Sequence, residues 1–300
     1  MSAIHPPFPF PPRERTVHKG SAGDVLVVAG SRGMSGAACL TAQACLRTGA
    51  GLATIACPEG INDILEVKTT CVMTKPLPQT SEGGFAEAAL EPLLELTAGR
   101  DALAIGPGIG RGEETAELTR RLVLSFFKDL EPDQGPRLVL DADGLNAFEG
   151  QAEALQPLAG RAVLTPHPGE FQRLGGELES GDEGRERALR SFVDTHGVCT
   201  LLKGAGTLVC ATSPEGLRLY RNETGNAGLA TAGSGDVLTG MIAALLGQGL
   251  PPYEAACLGA WLHGRAGDLA ARVHGMAPLV ASDLLATLPE VIRGLEERWT

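Results

Sequence analysis

Asp236 stands directly behind Gly233, Ser234 and Gly235 in "TAGSGDVLTGMIAAL", Thr231 to Leu245. Val237, Leu238, Met241, Ile242 and Leu245 follow at the spacing of a broad apolar helical stripe. Three small residues at a helix N-terminus offer consecutive backbone N–H groups with little side-chain bulk, a preformed pocket for a phosphoryl oxygen. Such a pocket stabilises charge developing on a phosphate in transit. A carboxylate at its rim is placed to take the proton of an attacking hydroxyl. A plain helix cap is the other reading of Gly-Ser-Gly-Asp taken alone.

Four more turns hold residues suited to the same chemistry. "GPGIG", Gly106 to Gly110, has a backbone that a ligand can approach closely, or is a structural turn. "DADGLN", Asp141 to Asn146, is a polar turn after an apolar strand, or an N-cap with Asx turns. "TPHPGEF" holds His167 and Glu170 between prolines: His167 as a ligand contact, or Thr165 and Glu170 as helix caps. "LLKGAGTLV" sets Lys203 beside Gly204 and Gly206, where the ammonium meets a phosphate or snorkels to water. No GxxxxGKS or GxxxxGKT occurs, which excludes a Walker P-loop. The first strand lacks a following GxGxxG, which excludes the usual dinucleotide fold.

The elements that must position these turns repeat one scheme. "DVLVVAG", "GLATIAC", "DALAIG", "RLVL" and "AVLT" are short, nearly all-apolar runs, the pattern of strands buried on both faces. A helical stretch from Ala37 to Thr48 follows the first, and a polar-faced helix runs through "EETAELTRRLVLSFF". "VCTLLKGAGTLVCA" predicts a hairpin, and helices dominate beyond Asp236. The expectation is an α/β fold: one domain with a mainly parallel central sheet covered by helices on both faces. In such sheets ligands bind beyond the carboxyl ends of the strands, where the four further turns fall. Residues 1–16 read as a Pro-rich, loosely ordered leader, and 17–300 as the domain.

Composition narrows the function. Glycine is 40 of 300 residues, roughly twice its usual share of about 7%, and it clusters in turns between apolar runs. A net charge of -11 without any basic stripe argues against a nucleic-acid or membrane-surface partner. Seven cysteines without a CxxC pair point to buried free thiols in a reducing cytoplasm. No signal peptide or membrane-length apolar run is present.

With these motifs in order, the chain resembles the ribokinase-like superfamily and, within it, the ADP- or ATP-dependent NAD(P)H-hydrate dehydratases. The resemblance runs from about His18 almost to the C-terminus. It rests on "HKGSAGDVLVVAGS", "GMSGAACLTAQACLRTGAGL", "AIGPGIG", "LVLDADGLN", "LTPHPGEFQRL", "LLKGAGTLV", "NAGLATAGSGDVLTGMIAALLGQGL" and "LVASDLLATLPEVI". Such enzymes restore NADH or NADPH from the form hydrated across the 5,6 double bond of the nicotinamide ring. A nucleotide phosphorylates the C6 hydroxyl, and loss of phosphate restores the double bond.

The resemblance implies that Asp236 is the base and that the amides of Gly233, Ser234 and Gly235 form the anion hole. Lys203, Gly204, Ala205, Gly206 and Thr207, with Gly235, are implied to contact the AMP part of the nucleotide. Ala38 (or Ala37), Gly108 and His167, with Asp236, are implied to contact the hydrated dinucleotide, and Asn226 to shape its turn. Glu170 lies where related kinases carry the acid of an Asn-x-x-Glu motif that organises Mg2+ through water; here His167 replaces the Asn. "AGSGD" stands where family members often have Gly-Gly-Thr-Gly-Asp, and its small residues keep the backbone surface open. The implied cofactors are Mg2+ and ADP or ATP as phosphoryl donor, and the implied assembly a cytoplasmic homotetramer. Because many bacterial relatives carry an N-terminal epimerase and this chain has a short leader there, no epimerase activity is expected. A ribokinase-like vitamin-precursor kinase and a non-catalytic nucleotide-binding regulator are the competing readings.

Overall fold

Val25 and Val27 face one side of the first strand and Leu26 and Val28 the other, and all four are buried. A strand alternates its faces, so burial of both sets requires cover above and below. The computed structural model describes residues 5–127 and 135–296. Its strands are β1 Asp24–Val28, β2 Leu52–Pro58, β3 Met73–Leu77, β4 Ala102–Ile105, β5 Arg137–Leu140, β6 Ala162–Leu164, β7 Cys199–Leu202, β8 Leu208–Ser213 and β9 Gly216–Arg221. They form one sheet in the order β3-β2-β1-β4-β5-β6-β7-β8-β9. β1 to β7 are parallel, and β8 and β9 add antiparallel at one edge. The expected parallel sheet, its covered faces and the hairpin after Lys203 are therefore present.

The helices are α1 Ser35–Arg47, α2 Asn62–Lys68, α3 Leu90–Thr97, α4 Glu113–Phe127, α5 Ala142–Asn146, α6 Pro168–Arg173, α7 Gly181–His196, α8 Ser234–Gly247, α9 Pro252–His274 and α10 Ala281–Glu296. One apolar layer joins α1, α2, α8, α9 and α10 to the sheet, and α3 to α7 pack on the other face. Strand order reverses at β1, between β2 and β4. The loops after β1 and β4 lead from there to helices on opposite faces of the sheet, α1 and α4, the place where sheets of this kind bind ligands.

Two close approaches fix α8 against α1. A Cβ on Gly240 would collide with the Thr41 carbonyl, and one on Gly233 would lie 2.5 Å from Leu40 Cδ1. The apolar "CLGAWLHG" segment belongs to the core of this chain, with Cys257 and Leu258 fully buried and Trp261 nearly so. Of the seven thiols, all unpaired, six are buried and Cys71 is exposed. Residues 5–16, expected to be loosely ordered, hold apolar anchors among their prolines. Phe8 meets the Tyr253 ring edge-on at 6.0 Å, Phe10 packs on the same core layer, and Arg13 donates to the Gly49 carbonyl.

Candidate active site

α8 begins at Ser234 after Gly233, whose φ of 85° is the left-handed conformation that favours glycine. The first amides of a helix have no acceptor within it. The Ser234 amide turns back to the Thr231 carbonyl at 3.3 Å, so it is not bare as the sequence implied. Gly235 and Asp236 supply the next two amides of that turn. Asp236 is not a plain cap: Gly233 holds the cap position, and no side chain caps the helix. Burial and then the neighbouring Asp141 carboxylate push the Asp236 carboxyl up to about 6, while Lys203 pulls the other way.

Asp141 is the centre of a buried polar cluster beneath this turn. It occupies the N-cap of α5 but makes no capping bond with its side chain. Its Oδ1 instead meets Lys203 Nζ at 2.6 Å, and its Oδ2 accepts from Thr239 Oγ1 at 2.7 Å. The ends of β5 and β7 and the second turn of α8 are thus joined through one carboxylate that is 1% exposed. Lys203 Nζ also lies 3.7 Å from Glu170 Oε2. Lys203 therefore does not snorkel to water: it is paired with Asp141 and still lines the cavity beside the α8 turn. Burial lowers its pKa, but Asp141 and Glu170 outweigh that effect and raise it, so the ammonium stays charged. Next to this carboxylate, Ala142 holds a φ of 49°, the one left-handed non-glycine among the described residues. Strain of this kind collects at functional sites.

His167 and Glu170 form a capping box at the start of α6. His167 Nδ1 accepts from the Gly169 and Glu170 amides at 3.0 and 3.3 Å. Glu170 Oε2 accepts from the His167 amide at 2.8 Å, and its Oε1 lies 3.2 Å from His167 Nε2. Glu170 thus caps as one reading held, with His167 rather than Thr165 as its partner, since the buried Thr165 hydroxyl turns to the Leu140 carbonyl.

A cavity of about 940 Å³ opens on one side of the α8 turn. Lys203, Gly204, Ala205, Gly206 and Thr207 line it, with His167, Ser234 and Gly235. Its remaining wall is the 221–231 loop with Leu238, Ala260, His263 and Gly264. Asn226 shapes that loop by accepting from the Gly228 amide and donating to Asp268. Gly233 and Asp236 are not part of this wall, and Gly233 faces Leu40 of α1.

The loops at the strand-order reversal hold the rest. Gly30 donates to the Pro107 carbonyl and Ser31 Oγ to the Gly108 carbonyl, tying the two loops together. Asp143 accepts from the Gly110 amide at 3.1 Å. Gly108 faces Ala37 and Met34, for an added Cβ would lie 2.9 Å from the Ala37 Cβ. Ala37, partly exposed, faces Gly108, and the fully buried Ala38 lies against Gly30, so both alanines border these loops.

Three site residues escaped the sequence reading. Asp141 and Asp143 lay within a quoted motif, but nothing in "DADGLN" indicated that Asp141 would grip a lysine 62 residues away. His263 gave no spacing signal, since its partner Ser234 is 29 residues distant.

Among the described residues no three Asp, Glu, His or Cys side chains are grouped as a metal cage. The donor set does suit a Mg2+ carried on nucleotide phosphates, which keeps most of its waters.

The sheet order, the glycine-headed α8 and the cavity beside it define a ribokinase-like α/β protein. A ribokinase-like protein from Enterococcus faecalis shares the fold, with TM-score 0.79 and 23% identity over 95% of this chain and 92% of that one. The family model described as NAD(P)H-hydrate dehydratase matches residues 25–290, and the chain belongs to that family. It is 48% identical over 289 residues to the bifunctional NAD(P)H-hydrate repair enzyme of Moorella thermoacetica, covering 96% of this chain and 52% of that one. The chain spans about half the length of the bifunctional relatives it matches. It is 38% identical to the ADP-dependent (S)-NAD(P)H-hydrate dehydratase of Neisseria meningitidis, across 100% of this chain and 94% of that one. The ADP/ATP-dependent NAD(P)H-hydrate dehydratase of Bacillus subtilis, co-crystallized with ATP/Mg2+, aligns with TM-score 0.77 and 27% identity over 98% and 100% of the two chains.

Proposed function

We propose that this chain uses ADP or ATP to dehydrate the S-epimer of hydrated NADH and NADPH, returning the working cofactor. The reading is carried by one observation: Asp236, held up to about 6, sits on a helix turn flanked by the cavity on one side and by α1 on the other. The nucleotide occupies the cavity with its AMP part along Lys203–Thr207. The hydrated nicotinamide lies toward Ala37 and Gly108, with its C6 hydroxyl against Asp236. Asp236 takes the hydroxyl proton as that oxygen bonds to the terminal phosphorus and the bridging P–O bond to the nucleotide breaks. The amides of Gly235 and Asp236 stabilise the charge on the moving group. Departure of phosphate from C6 with loss of the C5 proton then restores the double bond. Mg2+ on the phosphates, organised by Glu170 through water, neutralises their charge when bound.

Residues 17–300 form the catalytic unit in this reading, preceded by the leader 1–16. We also place the protein in the cytoplasm as a homotetramer. Seven unpaired thiols support a reducing compartment, and among the described residues no helix is long and apolar enough to cross a membrane. Exposed Ile64, Val67 and Met73 on α2 and the edge strand β3 support self-association.

The test gives purified chain hydrated NADH, Mg2+ and ADP or ATP in turn, and follows the reduced-nicotinamide absorbance together with released phosphate. Recovery of both is the expected result. A persistent phosphorylated product identifies a kinase instead, and nucleotide binding without turnover identifies a regulator.

A further inference from the structure

Ser234 and His263 both line the cavity, and they touch each other. His263 Nε2 lies 3.0 Å from the Ser234 hydroxyl and 3.0 Å from the Ser234 carbonyl. A carbonyl oxygen accepts and never donates, so the ring nitrogen facing it carries the hydrogen. That single N–H is shared between the two oxygens of Ser234. The hydroxyl is then an acceptor in this contact, and its own hydrogen points away from the ring. Burial holds the imidazole neutral, down to about 4, so the arrangement persists across the neutral range. The Ser234 amide is taken by the Thr231 carbonyl, so the hydroxyl is the donor that this residue retains for a ligand.

We propose that the Ser234 hydroxyl donates to a phosphate oxygen of the bound nucleotide, and that His263 is the positioning residue that sets its direction. The inference rests on the reading of the cavity as the nucleotide site. It adds a side-chain donor to a turn otherwise read as a set of backbone amides. It also gives α9 a part in phosphate recognition, through a residue 29 positions from its partner.

Calorimetric titration of the full chain with ATP and with adenosine, both in Mg2+, tests this. Ser234→Ala should weaken ATP about tenfold, the lower end for a hydrogen bond to a charged group, and leave adenosine within twofold. His263→Leu should produce the same split, and His263→Gln, which keeps an N–H donor, should recover most of the ATP affinity. The double variant Ser234→Ala/His263→Leu should bind ATP no more than twofold more weakly than Ser234→Ala alone. Unchanged ATP affinity in Ser234→Ala overturns the inference, as do additive losses in the double variant or equal losses for ATP and adenosine. Wild-type protein that binds neither ligand overturns the nucleotide reading of the cavity and this inference with it.

Discussion

A carboxylate works best as a general base when its pKa lies close to the working pH. Burial and Asp141 bring Asp236 to about 6, while the Lys203 ammonium keeps it from rising further. The rate under saturating substrates should therefore fall tenfold per pH unit below about 6, and a limb near the ordinary carboxylate value of 3.8 would remove Asp236 as the base. Stability carries the opposite sign. The folded pKa lies above the unfolded one, so the ionised group costs nothing below about pH 4 and its full penalty above about 6. At about 1.4 kcal/mol per unit, Asp236→Asn should stabilise the fold by about 2–3 kcal/mol at pH 8 and by almost nothing at pH 4. Urea midpoints at both values would check this, and a gain independent of pH would contradict it. Lys203 repays comparison with its sequence reading. The apolar strand and glycines around it are visible in "LLKGAGTLV", but its partner Asp141 is not, because the pair forms across 62 residues. Lys203→Ala should thus do more than weaken nucleotide binding. It leaves a buried carboxylate unpaired, and its cost to stability should reach about 3–5 kcal/mol.

At the scale of elements, α8 does the positioning, and it does so by close packing on α1. Gly240 makes the approach possible, because any β-carbon there meets the Thr41 carbonyl and Ala44. Gly240→Ala should push the helices apart at a cost of about 1–3 kcal/mol and lower turnover while leaving nucleotide affinity close to wild type. Loss of stability with full turnover would show that the α1–α8 spacing does not set the site. The strands that bring the turns together were legible because each is buried on both faces and reads as an apolar run. The edges were not. β3, "MTKPL", is largely exposed and carries Lys75 and Pro76 as edge strands do. β9 alternates Leu217 and Leu219, packed on one layer, with Arg218, whose guanidinium lies over the Tyr253 ring at 4.2 Å. Neither strand is an unbroken apolar run, so neither stood out. The capping box at α6 was half visible: Glu170 suggested it, but histidine is an uncommon cap, and Thr165 was the natural choice.

Across the whole molecule, the N-terminal turn of α8 lies beside the cavity, and the joined loops after β1 and β4 meet α1 at Ala37. The cavity is bounded by the β7–β8 turn and the 221–231 loop. In the proposed reaction the phosphoryl group passes from a nucleotide in that cavity to a dinucleotide near Ala37 and Gly108, across the N-terminus of α8, where Asp236 stands. The measurement that tests this directly is recovery of NADH from its hydrate by Asp236→Asn at saturating ADP, with ADP affinity measured on the same preparation. The expected result is loss of recovery by at least a thousandfold with ADP affinity within threefold of wild type. Turnover within tenfold of wild type at unchanged ADP affinity would contradict the assignment of the base and the reaction path built on it.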